Sequence, residues 1–423
     1  MIKIGFNRRG DRVSLVVAGV LLAVFFAAPA VAQESRPLNN IGALKLTAPV
    51  LWAAAGTPAP APGGAAQAPV AEVASFFRGV EFTGFVDFYY LYNFNTPTAN
   101  NTLFRAFDTA HNAFTLQLAE LALEKKPVSD SRAGYRLDFQ YGPTATAVNQ
   151  TADPLSGGNF RNIEQAYLSY LAPIGSGLQL DFGKWVTQHG AEVIETRDNW
   201  NYSRSLLFTW PIPFHHTGVR ALYTINDKVS VAGSLSNGWN NTTDNNTGKT
   251  VGAGITIKPV SDVTVVGNYM GGPEQAGNNS NWRNLIDATL TFPLTSQVTI
   301  MGNYDYARES CATAGSAPCT GTATRVTAQG VAAYLKYQAN DMFALVPRFE
   351  YFSDSDGATT GTAQKLKEGT LTIEMKHMSG VRFLIEYRRD WSNINTWVQD
   401  ATNTPVDHQD TLTFGLVYAF GMN

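Results

Sequence analysis

Apolar and polar side chains alternate in segments that recur along this chain between Glu81 and Phe420. The clearest example is the segment 135–141, where Tyr, Leu, Phe and Tyr alternate with Arg, Asp and Gln without a break. Successive side chains of a β-strand point to opposite faces, so each such segment has one apolar face and one polar face. About sixteen segments of this kind fit between the two limits, and they predict a protein made almost entirely of strands.

The connections between these predicted strands alternate in length. Outer-membrane β-barrels have short periplasmic turns, long outward loops and an even number of strands. The sequence therefore predicts an all-β, antiparallel, up-and-down transmembrane β-barrel of about 16 strands, with its long connections outward and both termini in the periplasm. The predicted long connections are 95–110, 142–162, 187–216, 237–248, 271–282, 308–325, 354–364 and 392–408. The predicted short turns are 126–133, 173–176, 225–227, 259–261, 293–296, 338–341 and 378–380.

Two segments precede the predicted barrel at 81–423. Residues 1–32 have a basic start, an apolar run and a final Ala-Val-Ala, which together predict a secretory signal peptide. A twin-arginine signal is the alternative, because two arginines occupy positions 8–9, although the residues after them do not suit that motif. Residues 33–80 are rich in Ala, Pro and Gly and predict a periplasmic linker, with a docking segment for the cell wall as the alternative.

The composition agrees with a many-stranded membrane protein. The chain has 12% aromatic residues, 37 glycines and a formal net charge of -3. After the predicted signal peptide no apolar run reaches the roughly 20 residues of a membrane-spanning helix. A nucleic-acid partner is disfavoured, because the chain carries no excess of basic residues.

The two faces of the predicted strands have different surroundings. Lipid cannot satisfy polar groups, so the apolar face should contact lipid, the polar face should line a water-filled lumen, and aromatic residues near strand ends should form interfacial girdles. A hydrated lumen should carry charges of both signs. Alternation assigns to it Arg136, Asp138, Asp181, Lys184, Arg220, Lys258, Arg283, Asp287, Lys336, Arg348, Glu350, Glu374, Arg382, Glu386 and Arg388.

The longest connection, 187–216, is also the densest in charge. It contains Glu192, Glu195, Arg197, Asp198 and Arg204. Its aromatic residues argue against disorder, and connections this long are usually functional. We predict that it folds inward and narrows the lumen, with both arginines facing acidic groups across the opening. In the alternative, 205–210 extends a strand and the remainder caps the barrel from outside. The other residues expected to line the pore are Arg136, Asp138, Arg220, Arg348, Glu350, Arg382, Glu386 and Arg388.

Three further groups of residues invite specific chemistry. Cys311 and Cys319 lie eight positions apart in a predicted outward loop of an exported protein, so we expect a disulfide, with free thiols as the alternative. The histidines at 215–216 suggest a metal, but adjacent strand residues face opposite ways, and we expect no metal site. The sequence Asp-Ser-Asp-Gly at 354–357 resembles the start of a calcium loop but lacks the later ligands, which favours an Asx-type turn.

Several segments carry a resemblance to a known family. They are 82–87, 92–95, 118–127, 165–170, 181–184, 190–196 and 198–205. On these residues the chain resembles the OmpL-like family of outer-membrane β-barrel porins over nearly all of Glu81 to Phe420. The resemblance implies an outer-membrane pore but names no solute. The apolar face of the last predicted strand, which ends at Phe420, also looks like the terminal signal of outer-membrane proteins, although three residues follow it.

The sequence as a whole predicts a porin in the outer membrane of a Gram-negative-type bacterium, through which small hydrophilic solutes or ions diffuse. We expect no catalytic residues and no cofactor, since no hydrolase or phosphate-binding motif occurs. The expected partners are outer-membrane lipid, the solutes and the outer-membrane assembly machinery, and the sequence leaves both a monomer and a homotrimer open. The alternative is a non-channel barrel acting as an enzyme, adhesin or receptor. A plugged siderophore-type receptor would need about 22 strands.

Overall fold

The computed structural model describes residues 79–260, 262–311, 317–319, 323–377, 379–399 and 404–422. The predicted signal peptide and nearly all of the predicted linker lie outside these residues. Within them, sixteen strands close into one antiparallel barrel and two short strands form a separate hairpin. The strands are β1 (Glu81–Asn93), β2 (Ala113–Lys125), β3 (Ala133–Tyr141), β4 (Ile163–Ala172), β5 (Leu178–Val186), β6 (His215–Asn226), β7 (Val229–Ser236), β8 (Thr250–Ile257), β9 (Thr264–Pro273), β10 (Trp282–Pro293), β11 (Val298–Ser310), β12 (Arg325–Gln338), β13 (Phe343–Asp354), β14 (Gln364–Lys376), β15 (Val381–Ser392), β16 (Trp397–Gln399), β17 (Thr404–Val406) and β18 (His408–Met422).

The barrel follows the order of the chain. Each strand pairs with its neighbours in sequence, except that β15 pairs with β18 because the β16–β17 hairpin lies in the connection between them. β1 and β18 close the barrel, with partners running from Phe82 and Met422 to Asn93 and Thr411. The predicted sixteen-stranded antiparallel barrel is therefore confirmed, and no barrel edge is left open.

Short and long connections alternate around the barrel as predicted. We call the end that carries the short turns the turn end and the opposite end the loop end. The tightest turn leaves two residues, 227–228, between β6 and β7. The longest connection joins β5 to β6 and covers residues 187–214. Each long connection therefore begins and ends at the loop end of the barrel.

The outer face of the barrel is apolar. On β18, Phe414, Leu416 and Tyr418 are exposed, whereas the alternating Thr411 and Thr413 are buried inside. This arrangement suits contact with lipid, which offers nothing to bond polar groups. Among the described residues no helix has the length and hydropathy needed to cross a membrane.

The inner face is not purely polar. Phe85, Leu118, Leu285, Phe352 and Leu366 face inward on their strands and are completely or almost completely buried. They pack in apolar clusters that include residues of the long connections. The expectation that the inner face meets lumen water was therefore wrong at these positions, because the long connections enter the barrel and bring apolar surface with them.

Candidate pore and constriction

The connection 187–214, which we call the inner segment, lies inside the barrel. The carbonyl oxygen of Gln188 accepts a hydrogen bond from Asn268 on β9 at 3.1 Å, and the amide of Ala191 donates to Asn303 on β11 at 3.2 Å. Further along, the amide of Tyr202 donates to Glu386 on β15 at 2.7 Å. The segment therefore crosses from one wall to the opposite one.

The irregular backbone of the inner segment is held by carboxylates. Glu386 accepts from the amides of Tyr202 and Ser203, and Glu350 of β13 accepts from the amide of Leu206. Buried amides outside regular structure need such partners, and bonds to a charged acceptor are the stronger kind. After Ser205, which caps it, a helical turn α1 (Leu206–Thr209) follows. The alternative in which 205–210 extends a strand is therefore wrong.

Two arginines of the wall complete this attachment. The Arg348 guanidinium lies 2.9 Å from Glu368 and 2.8 Å from Glu192, and it donates to the carbonyl oxygen of Ser203 at 2.7 Å. Arg388 donates to the carbonyl oxygen of Arg204 at 2.6 Å and pairs with an aspartate of its own strand. Both guanidinium groups are buried, so they bind the segment to the wall and do not face water.

Arg204 has a different place from the one the sequence suggests. Its guanidinium donates to the carbonyl oxygens of Val193, Ile194 and Tyr202, all within the inner segment, and the residue is buried. The prediction that it faces acidic groups across an opening was wrong, because the segment folds around it. Its charge satisfies backbone carbonyls that would otherwise be buried without partners.

A second contact fixes the segment to β1. The Asp87 carboxylate accepts from the Thr196 hydroxyl at 2.6 Å and from the Tyr202 phenol at 2.9 Å. Burial, reinforced by the Asp87 charge, raises the pKa of the Tyr202 phenol well above its usual range, so this phenol stays a hydrogen-bond donor. Burial also raises the pKa of the Glu195 carboxyl, which is shielded from the lumen water.

The loop half of the lumen is filled by side chains. Leu206 and Leu207 of the inner segment pack with Phe352, Leu366 and Trp397 in one buried cluster. A second cluster joins Phe107, Val148, Ile194, Phe208 and Leu285. Five long connections therefore contribute to the packing, namely 94–112, 142–162, the inner segment, 237–249 and 393–407.

The turn half carries basic side chains that reach water. We call Arg136, Arg197, Arg220, Lys336 and Arg382 the basic arc. Each of these side chains is 12% to 24% exposed, and each is paired with a carboxylate that is 0% exposed. The pairs are Arg136 with Asp138 at 2.9 Å, Arg197 with Glu120 at 3.3 Å, Arg220 with Asp181 at 2.8 Å, Lys336 with Glu374 at 3.2 Å and Arg382 with Glu374 at 2.6 Å.

Between the two ends of the basic arc part of the wall is made of small side chains, and it begins next to Arg220, whose cross-strand partner on β7 is Ser234. The inward positions of β7 and β8 are partly exposed and neutral, and they are Ser230, Ala232, Ser234, Gly252, Gly254 and Thr256. Among the described residues no hydrogen bond or ion pair joins the inner segment to β7 or β8. This small-residue wall is therefore the side of the lumen to which the segment is least attached.

A family model decides what kind of barrel this is. The model described as "Putative beta-barrel porin-2, OmpL-like" matches residues 79–420. The chain belongs to this family. No curated protein sequence matches the porin.

Solved structures share the fold of this porin. The anion-selective porin from Comamonas acidovorans has a TM-score of 0.56 at 9% identity, covering 81% of this chain and 99% of that chain. OmpT of Vibrio cholerae expressed in the outer membrane has a TM-score of 0.51 at 13% identity, covering 81% and 97%. OmpF of Salmonella typhi in complex with daunomycin gives 0.52 at 11% identity, again covering 81% and 97%. Family and fold place the porin in the bacterial outer membrane.

The residues predicted to line the pore of this porin fall into two groups. One group reaches water in the lumen, and its members are Arg136, Arg197, Asp198, Arg220 and Arg382. The other group is buried, and its members are Asp138, Glu192, Glu195, Arg204, Arg348, Glu350, Glu386 and Arg388. The prediction that the side chains of the second group contact lumen water was wrong, because the inner segment and neighbouring side chains cover these residues.

Some residues of the site were missed in the sequence. Glu120 pairs with Arg197 of the basic arc, and Glu368 pairs with Arg348, which binds the inner segment. Strand alternation could have identified both glutamates, because both are inward positions. Arg105 lies in the connection 94–112 and pairs with Asp390 of β15 at 3.2 Å, buried at both ends. No periodic signal marks Arg105, since it lies outside any strand.

The remaining candidate groups of the porin have structural partners. Cys311 and Cys319 are joined by a disulfide, with their Cα atoms 6.1 Å apart. The Asp354 carboxylate accepts from the amides of Ala358, Thr359 and Thr360, four to six residues further on, so it closes a wider loop than the Asx-type turn that the sequence favours. In the part of the chain that the structure describes, no three histidine, cysteine or acidic residues are arranged to hold a metal ion.

The two adjacent histidines are both buried. His216 contacts the carbonyl oxygen of Gly238 at 3.1 Å through Nδ1 and the Thr187 hydroxyl at 3.2 Å through Nε2. These bonds connect β6 to the start of the inner segment. His216 therefore helps to set where the segment leaves the wall, next to the buried His215.

Proposed function

We propose that this porin conducts small hydrophilic solutes and ions by passive diffusion and performs no covalent chemistry. The observation that carries the proposal is the turn half of the lumen, which is lined by partly exposed charged side chains and by a wall of small neutral ones. Membership of a porin family supports the same function. Charged side chains in contact with lumen water are what a hydrated channel requires, because lipid or a dry core would exclude them.

The solute path in this proposal runs between the inner segment and the small-residue wall. Three side chains of the segment, Gln188, Val193 and Asp198, are exposed, whereas residues 201–208 are buried throughout. A Cβ atom placed at Gly254 would lie 2.9 Å from Nε2 of the Gln188 side chain, so this side chain reaches the small-residue wall there. We propose that the gap beside Gln188 is the narrowest point.

A second candidate function is a barrel that is not a channel. The observation in its favour is the packed loop half, where buried aromatic and aliphatic side chains occupy the lumen as in a soluble core. Under this candidate the turn half would be a closed vestibule and the barrel would serve as an adhesin, receptor or enzyme.

Conductance in a planar lipid bilayer distinguishes the two. The purified, folded full chain should produce discrete current steps when added to the bilayer, and the heat-unfolded sample should produce none. An absence of steps with folded protein, verified by its β-sheet circular dichroism, would contradict the channel and favour the second candidate.

We also propose that the porin assembles as a homotrimer. A structure of OmpT from Vibrio cholerae in a trimer form, with a TM-score of 0.52 and 12% identity, has the same fold. Light scattering of the detergent-purified porin, corrected for bound detergent, measures the number of chains. A monomer mass would overturn this part of the proposal without affecting the conductance result.

A further inference from the structure

The ion pairs of the turn half have a consistent orientation. In the pair of Arg220 and Asp181 the cation is 15% exposed and the carboxylate is 0% exposed. The Asp181 carboxylate also accepts from the Ser169 hydroxyl at 2.6 Å, which holds it against the wall. The same order recurs in the other pairs of the basic arc, so the cations lie nearer to lumen water and the anions lie behind them.

The members of the arc are connected side by side. The Arg220 guanidinium lies over the Tyr167 ring at 5.0 Å, and Tyr167 is the cross-strand partner of Arg136. Arg382 donates to the carbonyl oxygen of Asn199 at 2.9 Å and shares the Glu374 carboxylate with Lys336. The arc therefore extends from β12 past the inner segment to β6.

Few acidic side chains reach water in the same region. Asp198, beside Arg197, is 58% exposed, and Glu124, beside Arg136, is 24% exposed. Glu81, the cross-strand partner of Glu124, is 41% exposed and pairs with Lys126, which is 58% exposed. The five cations thus outnumber the acids that reach water, although the ion pairs themselves are neutral overall. A charge in contact with water acts on a passing ion at shorter range than a buried charge behind it.

We propose that the basic arc makes this porin selective for small anions, such as chloride and short carboxylates, over cations. The inference rests on the proposed channel function and adds the charge class of its solutes. We call the arrangement in which the cation of an ion pair lies nearer to lumen water than its carboxylate the depth order of the pair. The selectivity arises from this depth order and not from net charge. An anion in the lumen meets guanidinium and ammonium groups along the basic arc and neutral small side chains on β7 and β8.

The test uses reversal potentials of the full-length porin across a KCl gradient at low ionic strength, where screening is weakest. The parent porin should be more permeable to chloride than to potassium. The double variant Arg220→Gln with Asp181→Asn removes one charge of each sign and retains hydrogen-bonding groups. If depth order sets selectivity, this neutral change lowers the chloride preference by about two-fold, as expected for losing one near charge.

Two further variants make the test specific. Asp198→Asn removes the most exposed acid beside the arc and should raise the chloride preference, and it disturbs no buried pair. Arg389→Gln removes the same positive charge as a control, because Arg389 is 46% exposed on the outer face and pairs with Asp410. The control should leave the reversal potential unchanged.

The outcomes separate the two proposals. The anion proposal is overturned, and the channel proposal stands, if the parent porin conducts but prefers potassium. The same holds if the double variant Arg220→Gln with Asp181→Asn keeps the selectivity of the parent. If the double variant does not fold, the parent and Asp198→Asn results decide, and equal reversal potentials for these two also overturn it. No conductance from the folded parent overturns the channel itself, and the anion proposal falls with it.

Discussion

The two halves of this barrel use inward-facing charges in different ways. In the loop half, Arg348 and Arg388 are buried beneath the inner segment and bind its carbonyl oxygens. In the turn half, Arg136 and Arg220 have the same kind of carboxylate partner on the wall but keep part of the guanidinium in water. The chemistry of the side chains is the same, and the difference lies in what covers them.

This comparison shows that an inward position does not by itself make a residue pore-lining. The buried arginines stabilise the closed packing of the loop half, and the exposed ones are available to solutes. Mutations in the two halves should therefore change different properties. Loop-half variants should change stability, and turn-half variants should change conductance or selectivity.

The largest effect is expected for Arg348→Ala. The change leaves the Glu192 carboxylate buried without its cation and leaves Glu368 with only the more distant Arg388 at 3.9 Å, and breaking a buried pair in this way costs about 3 to 5 kcal/mol. Urea unfolding in detergent, followed by intrinsic fluorescence, should show the loss of unfolding free energy.

Arg389→Ala is the matched control, since its pair with Asp410 is exposed and such pairs contribute about 0 to 1 kcal/mol. Equal effects of the two variants would mean that burial under the inner segment adds nothing to the Arg348 pair.

Smaller effects, on different properties, are expected for variants of the two arginines of the inner segment. Arg204→Ala removes the donor to three buried carbonyl oxygens and should cost about 1.5 to 3 kcal/mol, with an unchanged reversal potential. Arg197→Ala removes a partly exposed cation and should shift the reversal potential toward cations.

Both variants are measured by denaturation and by reversal potential. The division between the halves fails if Arg204→Ala changes selectivity as much as Arg197→Ala does. It also fails if Arg204→Ala leaves stability at the parent value.

The face of the strand on which each residue lies could be predicted from the sequence. Which inward residues are buried beneath other segments could not. Alternation correctly assigns Arg136, Arg220 and Arg382 to the inside, because a strand offers only two faces and lipid excludes charge from one. Whether such a residue then meets water depends on contacts between distant parts of the chain. Arg348 is covered by Ser203, which is 145 positions away, and no local pattern encodes that docking.

The inner segment illustrates the same limit. Its length, charge and aromatic content predicted a functional connection, and the structure places it inside the barrel. The roles of its charges could not be read from their spacing, because Arg197 and Arg204 differ only in which way the irregular backbone turns them. The contribution of Arg105 and Trp397 from other connections was missed for the same reason, since these segments have no period.

The smallest change in stability, with a clear change in function, is expected for Ala232→Phe. Ala232 faces the lumen on β7, opposite Gly254 of β8 and next to the point where Gln188 approaches the wall. A phenyl ring there should occupy the gap beside Gln188 and lower the single-channel conductance, while stability changes by about 0.5 kcal/mol or less, as for other partly exposed sites.

Ala253→Phe on β8 is the control, because Ala253 is exposed on the outer face, where an added ring contacts lipid. Bilayer recordings of the two variants under the same KCl concentration should give a reduced current step only for Ala232→Phe. Equal steps for both would show that solutes do not pass along the small-residue wall, and the path would have to lie elsewhere in the turn half.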